Sequence, residues 1–402
     1  MMRLLSVCLR IIAAIFSLFP LRLRVAFLSR QGEKPSYDFE CLAAELRTRE
    51  DAPEVVMDLS APETQGKLRF IGHMLRQLWL ARTSRVVVLD GYNPCVCIPR
   101  KRKGVYVIQL WHAVGAIKKF GLQCLDTPAG RTSADARIAH MHQNYDLVVA
   151  GGVGAVDAFA EAFGYPREQV QPLGLPRTDR LLRLAQERAG GAAREGVPGT
   201  VREGTPGKVR ESTHGQARGK LAEQHPWLTN GSLNVLYAPT FRRGDDGRWM
   251  QEATAKLAAA LEESHVNLIV SKHPLMHAQE APSPIVHTIP HVTTEELFSV
   301  VDVVISDYSA IALEACLVGL PVLFYVPDIE EYRPSPGLNV DPIKDQLLMG
   351  SAYAADIARA IKDPIKLNIC MAHCLTFGSN YFADLGPDST HVLSNLLLEK
   401  LS

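Results

Sequence analysis

Short apolar runs alternate with amphipathic stretches along most of this chain, and that alternation restricts its fold more than any other feature. Val25–Ser29 reads as a strand and Tyr37–Arg47 as a helix. Glu54–Leu59 is a strand, Lys67–Ala81 a helix, and Val86–Asp90 and Val105–Leu110 are strands. Leu147–Ala150 is a strand, with a helix over Val153–Phe163 after it. The pattern resumes further on, with strands at Asn234–Pro239, Asn267–Val270, Val303–Ser306 and Pro321–Tyr325 and helices at Ala310–Val318 and Ala352–Ile361. Strands that alternate with helices build βαβ units and parallel sheets. With 402 residues the chain is too long for one ordinary core, so the reading is an α/β protein of two domains.

The pattern breaks near Gly190. Arg194, Arg202, Arg210 and Arg218 recur there every eight residues, in units such as A-R-E-G-V-P-G-T. These units carry almost no apolar surface to offset the entropy of ordering the chain, which predicts a disordered insert over 189–222. A basic tether to anionic lipid is the alternative. The domains then run 23–188 and 223–402, with a C-terminal helix that packs back on the first.

Residues 2–19, MRLLSVCLRIIAAIFSLF, precede the first strand. At about 100° per residue, Arg3, Ser6, Arg10, Ala13, Ala14 and Ser17 share one stripe. Arg10 would lie near mid-bilayer in a spanning helix, at a cost of at least about 2.5 kcal/mol. No small-residue cleavage site follows, as a signal peptide needs. The segment, 1–22, therefore reads as an amphipathic helix lying in a membrane interface, with Arg22 and Arg24 extending its basic rim. A helix buried in the first domain is the competing reading.

Charge is balanced, with 43 Lys+Arg against 43 Asp+Glu, and gives no sign of a nucleic-acid partner. None of the 8 cysteines forms a C-x-x-C pair. Cys370, His373 and Cys374 fall on one helix face but lack a fourth ligand, so buried reduced thiols are expected and no metal site.

Chemistry concentrates at four strand ends. Gln109-Leu110-Trp111-His112 runs into a Gly115 turn followed by Lys118 and Lys119. His112 suits a general base and the lysines suit phosphate, although a structural histidine beneath Trp111 fits the same spacing. Ala238-Pro239-Thr240-Phe241-Arg242 puts a guanidinium fork at the next end, fit for a phosphate or for solvent. Ser271-Lys272-His273-Pro274 follows, where Lys272 and His273 point to opposite faces and only one lines a site; His273 is the choice, as a donor to a pyrophosphate, with a histidine packed at the strand end as the alternative. Ser306-Asp307-Tyr308-Ser309 then opens a helix containing Glu314. Ser309 is the expected cap and could hold a phosphate there, while Glu314 could accept ribose hydroxyls. No P-loop, no dinucleotide fingerprint and no G-x-S-x-G elbow occurs, which removes the common kinase, dehydrogenase and hydrolase readings.

Trp111–Lys119 as W-H-x-x-G-x-x-K-K, Ala238–Arg242 as A-P-T-F-R, Lys272–Pro274 as K-H-P and Asp307–Ser309 as D-Y-S resemble, in this order, the CDP-glycerol glycerophosphotransferase family of teichoic acid synthesis. Ser29-Arg30-Gln31, Gly174-Leu175-Pro176-Arg177-Thr178-Asp179 and Phe324–Asp328 resemble it too. The resemblance covers residues 24–365 outside the repeat. It implies a GT-B-like fold, two Rossmann-like domains with parallel sheets facing a cleft, with the nucleotide on the second. It implies His112 as base and His273, Arg242 and Ser309 around the donor pyrophosphate, with Asp307 nearby. His112 and His273 are thus the catalytic candidates, and Lys272, Ser306 and Glu314 join Arg242, Asp307 and Ser309 as candidates for binding the donor. Ala310 stands where the family often has a second serine.

The resulting expectation is a peripheral enzyme on the cytoplasmic face of the membrane, bound to an anionic surface. It would carry glycerol or ribitol phosphate from CDP-glycerol or CDP-ribitol to a hydroxyl of a lipid-linked polymer and release CMP. No cofactor is required by the sequence, and a divalent metal is left open. A nucleotide-sugar glycosyltransferase and a non-catalytic polymer-binding protein are the alternatives.

Overall fold

A computed structural model describes residues 2–50, 52–60, 66–192, 213–240, 242, 247–271 and 283–402. Two compact units emerge. The first comprises Met1–Asp179, Tyr332–Asn339 and Tyr381–Ser402, and the second Arg180–Glu331 and Val340–Asn380.

The first unit holds a six-stranded sheet of β1 (Arg22–Ser29), β2 (Glu54–Leu59), β3 (Ser84–Leu89), β4 (Tyr106–Gln109), β5 (Leu147–Val149) and β6 (Val170–Gln171). Every pairing is parallel, in the order β2-β1-β3-β4-β5-β6. Val86, Val87, Val88 and Leu89 are all fully buried, as a parallel strand covered on both faces requires. Helix α2 (Tyr37–Arg47) starts on a Ser36 cap and buries Phe39, Leu42, Ala43 and Leu46. The helix Ser389–Glu399 belongs to this unit, and Asp179 receives the N–H groups of Ser389 (2.8 Å) and Thr390 (2.9 Å) at its start.

The second unit holds β7 (Leu233–Ala238), β8 (Val266–Val270), β9 (Val286–His287), β10 (Val303–Ser306), β11 (Val322–Tyr325) and β12 (Met349–Ser351). They form a parallel sheet ordered β12-β11-β10-β7-β8-β9. In both sheets the strand order reverses direction, between β1 and β3 in one and between β7 and β10 in the other. Open α/β sheets bind ligands beyond the carboxyl ends of strands at such reversals.

Helix α1 (Met2–Phe16) docks on the first unit along one side and leaves an apolar row outward. Leu9 and Ala13 pack with Leu78, Cys95 and Ile98, supported by Ile12, Phe16 and Met74, and Ser6 is buried with them. Ser6 and Ala13 of the stripe are thus buried on the side that packs against α3 (Lys67–Thr83), whereas Ala14 is exposed. Arg3 and Arg10 flank this contact, and Leu4, Val7, Ile11, Ile15 and Leu18 remain exposed. The segment is both a docked helix of the first unit and the bearer of an unpaired apolar face. No helix among the described residues is long and apolar enough to cross a membrane.

Helices also reach into the stretch expected to be a structureless insert. Pro176–Ala192 enters it from one side and Thr213–Gln224 from the other; Arg194, Arg202 and Arg210 lie outside the described residues. Cys95, Cys97, Cys124, Cys316, Cys370 and Cys374 are buried free thiols, as expected, whereas Cys41 is half-buried and Cys8 exposed. Cys370 and Cys374 turn inward toward Val322, whose carbonyl accepts from both thiols (3.3 and 3.8 Å), and Cys316 is buried as well. No group of three metal-ligating side chains is arranged to hold an ion among the described residues.

The orientation of α1 has a direct measure. Leu9 is 4% exposed and Ile11 is 57% exposed. Leu9→Ala should cost about 2–3 kcal/mol, whereas Ile11→Ala should stay within about 0.5 kcal/mol. Urea unfolding of the two variants reads both, and equal costs would mean the helix is docked on another face.

Candidate functional site

Three neighbouring strands of the first unit end on polar groups that meet. Ser29 closes β1, Asp90 follows β3, and Trp111 and His112 follow β4. The chain turns sharply at Trp111, whose φ of 62° is in the left-handed region. Its N–H donates to the Gln109 side chain at 2.9 Å. Its ring stacks on Phe120 with centroids 5.0 Å apart and meets Phe163 and His142 edge-on. This aromatic nest sustains a backbone conformation that costs a non-glycine residue roughly 1–2 kcal/mol, and it swings His112 outward. His112 is exposed and lies against Trp111 with ring centroids 4.1 Å apart rather than being covered by it.

His112 Nδ1 donates to the Asp90 carbonyl at 3.2 Å. That bond fixes the tautomer with the free electron pair on Nε2, the arrangement of a proton acceptor. Gln31 Nε2 lies 3.4 Å from the same Nδ1, beside Gly91, where a Cβ would stand 2.6 Å from it. Arg177 donates from Nη1 to the His112 carbonyl at 3.1 Å and is itself clamped by Asp38, with Nε–Oδ2 at 2.7 Å and N–Oδ1 at 2.8 Å. The crowding of protein atoms around the imidazole lowers its pKa to about 4; the Asp90 bond opposes this, and the Arg177 and Lys118 charges add to it. Burial in turn raises the Asp90 carboxyl to about 6, against a hydrogen bond from Ser29. Lys118 and Lys119 are anchored by backbone pairing to the returning segment, through the bridge to Leu338 and the Lys119 N–Gly337 O bond of 2.9 Å.

In the second unit the ends of β7, β10 and β11 converge in the same way. Asp307 is wholly buried. It accepts from Thr240 N (2.8 Å), Thr240 Oγ1 (2.6 Å), Tyr308 N (2.6 Å) and Arg242 Nη1 (3.0 Å). Arg242 also grips Asp328 through Nε (3.0 Å) and Nη2 (2.8 Å), and its guanidinium lies 3.1 Å over the Trp249 ring. Tyr308 Oη donates to Asp328 at 3.0 Å. Arg242 is thus held by two carboxylates and an aromatic face, a pre-set cation rather than a loose one. Ser306 Oγ donates to the Ala238 carbonyl at 2.9 Å and ties β10 to β7. The helix Ile311–Val318 starts one residue later than expected, with Ala310 at the cap position and no side-chain cap. Ser309 accepts only a long 3.4 Å contact from Ile311 N, so its capping role is corrected. Glu314 is buried on that helix. Lys272 and His273 lie outside the described residues.

The structure therefore groups His112 with Asp90, Gln31, Arg177 and Asp38 in one unit, and puts Arg242, Ser306, Asp307 and Ser309 at strand ends of the other, with Glu314 buried on the helix Ile311–Val318. Sequence reasoning assigned no role to Asp90, Gln31, Arg177, Asp38, Trp249 or Asp328. The signal for Asp90 was its place at a strand end, and Arg177 and Asp328 sat inside noted motifs.

The family model described as CDP-Glycerol:Poly(glycerophosphate) glycerophosphotransferase matches residues 13–198 and 208–358. The chain belongs to this family. A teichoic acid ribitol-phosphate primase of Bacillus spizizenii is 31% identical over 274 residues, which are 66% of this chain and 63% of the relative. A teichoic acid glycerol-phosphate primase of Bacillus subtilis is 27% identical over 271 residues, 66% of this chain and 62% of that one. The matched region thus spans less than two thirds of either relative's length. Among solved structures, the wall teichoic acid polymerase TagF aligns with a TM-score of 0.72 at 14% identity, over 98% of this chain and 93% of the other. This likeness shows a shared GT-B-like fold of two Rossmann-like units. One TagF structure with the same TM-score is of a variant soaked with CDPG.

The lowered pKa of His112 is directly observable in this glycerophosphotransferase family member. Its Cε1 proton should titrate near pH 4 rather than at the ordinary 6.5. The unfolded chain takes up that proton at higher pH than the folded one, so stability should fall as pH drops from 6.5 toward 4, and His112→Gln should lessen the fall. A midpoint at 6.5 in the NMR titration would contradict the site described.

Proposed function

We propose that the protein transfers glycerol phosphate or ribitol phosphate from a CDP-linked donor to a hydroxyl of a teichoic-acid-like polymer. The acceptor oxygen bonds to the β-phosphorus, the bond from that phosphorus to the bridging oxygen breaks, and CMP leaves with the bridging oxygen. The acceptor proton passes to His112 Nε2. The observation that carries this reading is the fixed tautomer of His112, neutral at working pH and flanked by the Arg177 and Lys118 cations. The donor pyrophosphate, with one negative charge on each phosphate, would raise its pKa toward the working range and strengthen it as a base. Arg242, Ser306, Asp307, Ser309 and Glu314 sit where an open α/β sheet binds its nucleotide, and Lys272 and His273 follow β8 of the same sheet in sequence. Phosphoryl transfer asks mainly for positioning and charge stabilisation, which suits rigid cations.

Incubation with CDP-glycerol and CDP-ribitol should release CMP. His112→Ala should lower turnover by about 10²–10⁴-fold and leave calorimetric CDP affinity unchanged. Consumption of a nucleotide sugar instead would make the protein a glycosyltransferase, and CDP binding without any turnover would make it a binding protein.

The same proposal places the chain on the cytoplasmic membrane surface as a peripheral protein, where a lipid-linked acceptor would be met. The exposed row Leu4, Val7, Ile11, Ile15 and Leu18 supports this, and Ile71 and Leu75 on α3 are exposed as well. Ile11→Ser combined with Ile15→Ser should abolish sedimentation with anionic vesicles at unchanged Tm. The unmodified protein should be released by alkaline carbonate; resistance would indicate a spanning segment.

A further inference from the structure

The flank of α1 carries a second feature that the transfer reaction does not use. An open cavity of about 540 Å³ lies between this helix and the loops after residues 97 and 140. Arg10, Arg82, Arg100, Lys101 and His140 line it, with Ala14 at its edge. Asn144 braces the wall, donating to the carbonyls of Val96 (2.8 Å), Cys97 (3.1 Å) and Pro99 (2.8 Å).

The charges here are not balanced by the protein. Lys101 meets Asp146, but no carboxylate pairs with Arg10, Arg82 or Arg100 among the described residues. Arg82 spends its donors on the Ser17 hydroxyl (2.9 and 2.7 Å) and the Arg100 carbonyl (2.9 Å), and Arg10 contacts only the His140 ring. Arg102 adds a further cation, bonded to the carbonyls of Arg82 and Phe19. Burial and the charge of Arg102 both lower the pKa of Arg82, the mark of cations gathered without an anion. Guanidinium groups collected around a cavity fit a phosphate with its several acceptor oxygens.

Position selects the source of that phosphate. At about 100° per residue, the order around α1 is Ala13, Arg10, Ala14, then Val7, Leu18 and Ile11. The cavity edge at Ala14 therefore adjoins the exposed apolar row. An anion site beside an apolar strip matches a molecule with a charged head and a hydrocarbon chain. We propose that this cavity binds the exposed phosphate of a membrane lipid whose chain lies along Ile11, Ile15 and Leu18. The proposal rests on the membrane-surface reading above and adds a headgroup specificity to it.

The test uses the full chain and phosphatidylcholine vesicles containing either phosphatidic acid, with an exposed phosphomonoester, or phosphatidylglycerol, matched in zeta potential. The protein should bind the phosphatidic acid vesicles at least about tenfold more tightly, and Arg10→Gln with Arg100→Gln should erase that preference, on top of the roughly fivefold loss per cation expected on either anionic surface. Both side chains are exposed, so folding is kept, with thermal unfolding as the check. Arg47→Gln, an exposed arginine on α2, should leave the preference intact. Equal binding to both vesicles overturns the headgroup site while sparing the membrane reading. Failure to bind either vesicle overturns both. If inorganic pyrophosphate binds in calorimetry, is lost in the double variant and leaves vesicle preference unchanged, the cavity takes a soluble anion and the lipid assignment is wrong.

Discussion

A tryptophan in the left-handed backbone region is unfavourable on its own, and the first unit holds Trp111 there by surrounding its ring. Phe120, Phe163 and His142 form the walls, and the Gln109 side chain receives the Trp111 N–H at 2.9 Å. His142 is buried and its pKa is lowered to about 3 by that burial, so it serves the nest as a neutral aromatic. The turn made there places His112 against the Asp90 carbonyl. Without the nest, the strand end would relax and the tautomer of His112 would no longer be fixed.

The two units solve one problem with opposite means. Around His112 the Asp90 carbonyl and Gln31 both meet Nδ1, and the charges of Arg177 and Lys118 act from further off, so no ion pair locks the ring. Around Arg242 the carboxylates of Asp307 and Asp328 and the ring of Trp249 leave no freedom. Removing a partner from such a buried pair costs about 3–5 kcal/mol because the other charge is left unmatched. A rigid cation presents the same field to every ligand, which favours recognition; an accessible imidazole favours turnover.

Much of this was legible in the chain, and the failures have physical causes. Buried parallel strands read as continuous apolar runs, so β1, β3, β7, β10 and β11 stood out within a few residues of their limits. β6 and β9 have two residues each and β12 three, too few for any periodicity. Asp90 joins His112 only because β3 and β4 are neighbours in the sheet, and strand order is not written in local pattern. The stripe on α1 was visible, but which face it turned to the protein depended on Leu78, Cys95 and Ile98, about seventy or more residues away in sequence. Ser309 looked like a cap because serine usually caps, yet the helix begins at Ile311.

The segment Tyr332–Asn339 leaves the second unit's stretch of sequence to join the first, and Tyr381–Ser402 does so again. There Asn339 N bonds the Ile117 carbonyl at 2.7 Å, and Asp179 waits for Ser389 and Thr390 from the chain's far end. A ribosome that has made residues up to Asp179 has therefore produced six strands but not the pieces that complete them. The first unit cannot mature ahead of the second during synthesis, and no single cut in the chain, whether by a protease or by recombination of gene segments, would yield it whole.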